Sequence, residues 1–251
     1  RHYMKTLYMF DVDGTLTPHR QKIRSRFRKF FLNWSEGKEF YLVTGSDLPK
    51  TKSQVPQEIL EKAEGIFTCM GNVLHVNGEL IYENAFNPPE QLMKDLDKFL
   101  KKSKYILRTG NHFEPRPGMI NFSVIGRNAT HSQRKGYNTY DQREKEREAI
   151  TEHINQTYGK EIEASIGGMI SIDICPIGNN KGQAFEWIHH KTNSHDLHYK
   201  YFGDQAKPGG NDWDLIKKME EMNISHSFHC VKDDRETFSL LKKKDSFLEL
   251  I

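Results

Sequence analysis

The apolar run TLYMF, residues 6–10, stops on Asp11-Val12-Asp13-Gly14-Thr15. Two carboxylates one residue apart repel each other, and burying either is costly unless a cation or a hydrogen-bonding site answers it. A short apolar run bounded by turn residues fits a strand buried on both faces. Two further stretches have the same form. FYLVTGSD ends on Thr44-Gly45-Ser46-Asp47, and YKYFGD ends on Gly203-Asp204, with Pro208-Gly209-Gly210-Asn211-Asp212 after it. Open parallel sheets bind ligands at the carboxyl ends of their strands. Three polar strand ends of this kind therefore point to one site on one edge of an α/β sheet.

The rhythm between these ends supports that class. The spacing of Phe27, Phe30, Phe31 and Trp34 predicts a helix over about 23–34, and another is expected over 50–64 with a break at Pro56. IFTCMGNVLHVNGELIYEN reads as a strand followed by a hairpin that turns on Asn77-Gly78. Alternation of strand and helix over the first 85 residues is the mark of a parallel sheet. The pattern changes at Asn87-Pro88-Pro89. A helix over 90–102, strands at YILRTG, MINFSVIG and ISIDICP, and a charged helix over 141–158 suggest an antiparallel sheet with one wet face. The parallel rhythm returns with helices over 183–190 and 212–222 and strands at YKYFGD and SFHCV. The expected architecture is a doubly wound parallel-sheet core, residues 1–84 and 183–251, with an α+β cap inserted at 85–182.

The polar ends form one electrostatic set that suits phosphoryl transfer. Asp11 and Asp13 stay ionised if a hard cation sits against them; Mg²⁺ prefers such oxygen ligands, and Asp204 would complete its carboxylate shell. Asp11 is the candidate nucleophile and Asp13 the candidate proton donor and acceptor. Thr44, Gly45 and Ser46 would hold phosphoryl oxygens, and Lys181 would neutralise their charge. Each of these residues alone has a blander reading as a turn or a solvated side chain. Their joint occurrence, in order and at strand ends, carries the assignment.

Charge and composition exclude other classes. Net charge is +3 from 37 basic and 34 acidic residues, too balanced for a nucleic-acid binder. No apolar run reaches the length of a membrane span, and RHYMKTLYMF offers no signal-peptide core. The three cysteines are few and far apart, so a reducing, cytoplasmic compartment is expected. The basic, aromatic RQKIRSRFRKF is read as an amphipathic core helix. His189, His190, His195 and His198 match no zinc spacing and are read as a polar loop.

DVDGT at 11–15, Ser46, Lys181 and Gly203-Asp204 resemble the four motifs of the haloacid dehalogenase superfamily. FDVDGTLTPHRQKI, GSD, RPGMINFSVIGR, GGMISID and FGDQAKPGGND resemble more closely the eukaryotic phosphomannomutases, over nearly the whole chain. That resemblance implies interconversion of mannose 6-phosphate and mannose 1-phosphate, with a hexose 1,6-bisphosphate as activator. It implies Mg²⁺ held by Asp11, the Asp13 main-chain carbonyl and Asp204. It also implies a hexose phosphate held by Arg20, Arg116, Arg127, Arg134, Ser171 and Asp173, and a homodimer formed through the cap. The charge logic agrees: a sugar bisphosphate has two dianionic ends, and arginines grip the second bidentately. Ser171 and Asp173 alternate on one strand and share a face. Met70 before Gly71-Asn72, Gln205 after the last motif aspartate, and Pro117 after Arg116 depart from the family pattern. WDLIKKMEEMNIS, after Asp212, lacks the loop that holds an additional ion in family members. The rivals are a sugar-phosphate phosphatase with the same core motifs and a non-catalytic binding module.

Overall fold

The computed structural model describes residues 4–192 and 196–249, with side chains to 243. Two compact units divide it: 1–83 with 179–251, and the inserted 84–178.

The first unit is built on a seven-stranded sheet in the order β11-β10-β1-β2-β3-β4-β5. Its strands are β1 (Lys5–Phe10), β2 (Glu39–Val43), β3 (Gly65–Thr68), β4 (Val73–Val76), β5 (Glu79–Glu83), β10 (Leu197–Gly203) and β11 (His226–Cys230). From β11 to β3 the neighbours run parallel; β3, β4 and β5 pair antiparallel. The hairpin β4–β5 turns on Asn77 and Gly78, both at positive φ, as the expected Asn-Gly turn requires.

Strand β1 shows why the sheet is central. Successive side chains face opposite sides, and here both sides are apolar. Tyr8 and Phe10 pack on Phe27, Phe31 and Trp34 of α1 (Ser25–Trp34). Leu7 and Met9 join the core of the other face, with Phe185 and Ile188 of α7 (Gly182–Thr192) and Leu215 and Met219 of α8 (Trp213–Glu221). The basic stretch from Arg20 thus contributes a core helix, but it starts at Ser25, two residues later than expected. The helix expected over 50–64 is two, α2 (Leu48–Gln54) and α3 (Gln57–Lys62), separated at Pro56. The terminal helix α9 (Asp234–Glu249) was not anticipated.

The inserted unit has a four-stranded antiparallel sheet in the order β6-β7-β9-β8. Its strands are β6 (Phe113–Arg116), β7 (Met119–Phe122), β8 (Ile162–Gly167) and β9 (Ser171–Pro176). Helices α4 (Glu90–Lys102), α5 (His131–Glu144) and α6 (Glu146–Tyr158) cover one face through Leu92, Leu96, Tyr137, Ile150 and Ile154, which meet Ile120, Phe122, Ile172 and Ile174. The helix expected over 141–158 is in fact the end of α5 and all of α6, broken where Lys145 takes φ 58°.

Three expectations are corrected. YILRTG is not a strand. Arg108 turns back to the carbonyls of Tyr105, Leu107 and Leu100, and Ile106 is 93% exposed, so there is no alternating ladder to join. The histidine stretch is not a loop: His189 and His190 end α7, and His198 lies in β10 against Ser225 and Ser227. His195 lies outside the described residues. The inserted unit ends at Gly178 rather than 182, because the side chain of Lys181 is buried in the first unit.

Candidate active site

The three polar strand ends meet at the carboxyl edge of the first unit's sheet. They line a cleft of about 300 Å³ with Asp11, Asp13, His19, Thr44, Gly45, Ser46, Met70, Asp204, Gln205 and Asn211 on its walls. The register explains the placement: Phe10 lies beside Leu42 of β2 and Phe202 of β10, so the three chains leave the sheet at one level. The Asp11 N–H donates to the Phe202 carbonyl at 2.9 Å. Beyond it the chain folds tightly, and the N–H groups of Thr15, Leu16 and Thr17 all reach the Val12 carbonyl. Gly14 sits at φ 76°, and a Cβ there would fall 2.4 Å from Asp204 Oδ2. Only glycine allows the turn and the approach together.

Asp11 is 3% exposed and Lys181 is fully buried. Lys181 Nζ donates to Asp11 Oδ1 at 2.9 Å and to Asp212 Oδ1 at 2.8 Å. Tyr201 donates its hydroxyl to Asp212 Oδ1, and the Gln205 N–H donates to Asp212 Oδ2 at 2.9 Å. Burial pushes the Asp11 carboxyl well up; the Lys181 ammonium opposes this and Asp212 adds to it. Burial alone would lower the Lys181 pKa, but the charges of Asp11 and Asp212 raise it, so the ammonium is retained.

Asp13 is set differently. Its Oδ1 accepts the Arg20 N–H at 2.6 Å and Gln54 Nε2 at 2.8 Å. Its Oδ2 meets His19 Nδ1, at 3.3 Å. Burial works to raise its pKa, but the bonds from Arg20, Gln54 and His19 outweigh it and hold the carboxyl below its ordinary value. Two carboxylates two residues apart thus have opposite tendencies: burial favours the neutral form of Asp11, and hydrogen bonds favour the charged form of Asp13.

Carboxylate oxygens of Asp11, Asp204 and Asp212 lie within 4.8 Å of one another. This all-oxygen set suits a hard divalent cation such as Mg²⁺, and a cation would offset the burial that raises Asp11. The Asp13 side chain does not join the set, since its Oδ1 is engaged by Arg20 and Gln54. Asp212, named from sequence only as part of a loop, does join it.

In the inserted unit Arg116, Ser171 and Asp173 lie on the sheet face away from its helices, Arg127 follows β7 and reaches Ser171, and Arg134 lies in α5. In register, Glu114 faces Asn121, Asn121 faces Asp173, and Ser171 lies two residues from Asp173. Arg127 Nη1 donates to Ser171 Oγ at 2.7 Å, and Asn121 Nδ2 donates to Asp173 Oδ1 at 2.8 Å. Arg134 donates to the carbonyls of Ala129 and Arg127, and Arg116 Nε to Glu114 Oε1 at 2.7 Å. Burial, with the like charges of Arg116 and Arg134, lowers the Arg127 pKa. Three arginines that repel across a small area are poised for an anion of more than one charge. Arg20 is not among them. It belongs to the first unit, with its backbone at φ 58° and its N–H on Asp13.

Comparison with known proteins follows the same lines. The eukaryotic phosphomannomutase family profile matches residues 27–243. The chain belongs to the eukaryotic phosphomannomutase family. Phosphomannomutase 1 of Mus musculus is 34% identical, over 93% of this chain and 90% of its own length. The phosphomannomutase of Saccharomyces cerevisiae is 31% identical, over 91% of each. Among solved structures, a haloacid dehalogenase-like hydrolase from Bacteroides thetaiotaomicron superposes with a TM-score of 0.62 at 13% identity, covering 96% of this chain and 99% of that one. A trehalose-6-phosphate phosphatase related protein gives 0.54 at 19% identity, covering 96% and 97%. These likenesses carry the fold, an α/β haloacid dehalogenase core with an inserted cap. Against the phosphomannomutase pattern, Met70 takes φ 63° and its sulfur lies over Gly45, placing an apolar wall on the cleft. The stretch after Asp212 is helix α8 rather than an ion-binding loop.

Residues missed in the sequence are mostly partners of those found. Tyr201 donates to Asp212, Gln54 and His19 touch Asp13, Glu114 accepts from Arg116, and Asn121 donates to Asp173. PGGND after the last strand was a usable signal for Asp212; nothing local marks Gln54, 41 residues from Asp13.

Proposed function

We propose that the protein is a phosphomannomutase that interconverts mannose 6-phosphate and mannose 1-phosphate through an aspartyl phosphate on Asp11. The observation that supports this is a carboxylate–lysine cluster in the first unit together with three arginines, Arg116, Arg127 and Arg134, in the inserted unit, read here as a phosphoryl-transfer site and a second anion site. A hydrolase needs the first; retention of a bisphosphate needs both.

In the forward half-reaction the Asp11 carboxylate carries the phosphoryl group, received from a hexose 1,6-bisphosphate activator. A hydroxyl of the bound hexose phosphate attacks phosphorus, the P–O bond to Asp11 breaks, and the hydroxyl proton passes to Asp13. Oδ2 is the oxygen of Asp13 that takes it, since Oδ1 is already engaged by Arg20 and Gln54. The bisphosphate then turns end over end. Asp11 attacks the other phosphorus, and the leaving sugar oxygen takes its proton back from Asp13. Lys181, Thr44, Ser46 and the Gly45 N–H hold the transferred oxygens. Asp11 and Asp204, with Asp212 beside them, would hold Mg²⁺, which would neutralise charge at the phosphoryl group. Arg116, Arg127, Arg134 and Ser171 grip the phosphate that is not reacting, and Asp173 accepts from sugar hydroxyls.

Association into a homodimer through the inserted unit belongs to the same reading, supported by the exposed Ile106 and Leu107; a monomer mass by light scattering would count against it. Among the described residues no helix is long and apolar enough to cross a membrane.

The test is a product assay by phosphorus NMR with mannose 1-phosphate, Mg²⁺ and a trace of hexose 1,6-bisphosphate. Mannose 6-phosphate should appear, and chelation should stop its formation. Inorganic phosphate alone would mean that water accepts from Asp11, and the sugar-phosphate phosphatase reading would replace this one.

A further inference from the structure

The inserted unit buries one ion pair that the mechanism above does not use. Arg147 is 3% exposed and Asp141 6%. The break at Lys145 creates the pair. In one continuous helix residues six apart lie on different faces; the left-handed Lys145 turns α6 so that the Asp141 carboxylate meets its first turn. Asp141 Oδ1 accepts the Arg147 N–H at 2.8 Å, and Oδ2 accepts Arg147 Nε at 2.8 Å.

The other side of the guanidinium faces the β8–β9 turn. Arg147 Nη1 lies 3.2, 3.0 and 3.1 Å from the carbonyl oxygens of Gly167, Gly168 and Ser171. One buried group therefore ties both ends of the turn to α6. The turn packs on the core through Ile170 and Met169, while its glycines have little room: a Cβ at Gly167 would fall 2.6 Å from Asp173 Oδ2, and Gly168 takes φ 54°. Its last residue is Ser171, whose Oγ accepts from Arg127.

Stability does not explain the pair. A buried ion pair is often no more stabilising than well-packed apolar residues. We propose that Arg147, oriented by Asp141, is a positioning residue for the anion site: it fixes the Ser171 backbone, and through Ser171 Oγ it fixes the Arg127 guanidinium. This rests on the reading of Arg127 as a phosphate ligand. Lysine does not substitute, because a single ammonium cannot hold Asp141 through one nitrogen and the three carbonyls through another.

The test compares Arg147→Met and Arg147→Lys with wild type in two reactions: isomerisation of mannose 1-phosphate, and Mg²⁺-dependent hydrolysis of acetyl phosphate, which needs Asp11 but no distal anion site. A displaced anchoring group costs up to about 10²-fold. We expect KM for mannose 1-phosphate to rise about 10- to 100-fold in both variants, with acetyl phosphate turnover within about twofold. Ser171→Ala added to Arg147→Lys should cost less than the product of the single effects, since both act through Arg127. An unchanged KM, equal losses in the two reactions, or fully multiplicative effects would each overturn the proposal. If wild type does not isomerise, the functional reading fails separately, and calorimetric binding of mannose 6-phosphate decides the positioning role: equal affinity in wild type and Arg147→Lys refutes it.

Discussion

Replacing Lys181 by Met tests the electrostatic centre of the first unit. Met preserves most of the volume and removes the charge, leaving Asp11 and Asp212 facing each other with side chains 5% and 0% exposed. Removing one partner of a buried pair costs about 3–5 kcal/mol, a large share of a total stability of about 5–15 kcal/mol. At about 2–4 °C per kcal/mol for a domain of this size, Tm should fall by about 6–20 °C. The sign of the pH dependence is fixed. Lys181 has a raised folded pKa, so its contribution is complete below the ordinary lysine value and is lost only as pH rises through the folded one. Asp11, also raised, favours the fold below the ordinary carboxylate value and loses that contribution as pH rises through its folded value. In the variant the deficit should therefore be full at pH 7 and shrink on acidification. The assay is urea unfolding in chelator, followed by tryptophan fluorescence; Trp34, Trp187 and Trp213 all lie in the first unit, so the signal reports that unit alone. Lys217→Met, which removes an exposed pair with Glu220, serves as control and should stay within about 0.5 kcal/mol. A Lys181→Met deficit below about 1 kcal/mol at pH 7, or one that grows on acidification, would refute the burial argument.

Asp13 gives the opposite linkage. Its folded pKa is lowered, so its contribution is present above the ordinary carboxylate value and is lost as pH falls through the folded one. Asp13→Asn should be the less stable protein at neutrality, with Tm curves that converge below about pH 4; a gap unchanged into acid would show that its hydrogen bonds do not distinguish the charged form. Gly203→Ala probes packing instead. The new methyl would fall 2.6 Å from the Asp212 carboxylate, so Asp212 must move off Lys181 at a cost of about 1–3 kcal/mol, and a Tm equal to wild type would contradict the geometry.

What the sequence makes legible follows from how each feature is encoded. Asp11, Asp13, Thr44, Ser46 and Asp204 could be found because each ends an apolar run, and the parallel sheet brings such ends to one edge. Lys181 has no local signature; only its place in an ordered set marks it, and nothing beside it fixes the segment boundary, which the sequence puts at 182 and the structure at 178. Partners that act at a distance leave still less. Gln54 ends a short surface helix, yet its amide is buried against Asp13. The turn at Lys145 contains neither glycine nor proline, so one left-handed residue splits what periodicity reads as a single charged helix. YILRTG shows the converse failure: a β-prone composition whose backbone is held by the Arg108 side chain instead of a neighbouring strand.

The same contrast bears on the chemistry. The first unit alone offers a nucleophile, a proton carrier and a cation site, and any of several acceptors could use them. On the proposed reading Asp13 Oδ2, which His19 meets at 3.3 Å, can take a proton from water or from a sugar hydroxyl. The acceptor is selected by what holds the sugar, and on this reading that is the polar face of the inserted sheet. Arg127 bonds Ser171 of that face; burial and the like charges of Arg116 and Arg134 work against its guanidinium while Glu114 and Asp173 work for it, so a dianionic phosphate would relieve the cost that remains on Arg127. A neutral or singly charged ligand relieves less of it. On this reading the second site discriminates by charge before it discriminates by sugar, and either phosphate dianion of the bisphosphate would satisfy it before and after the turn between the two half-reactions.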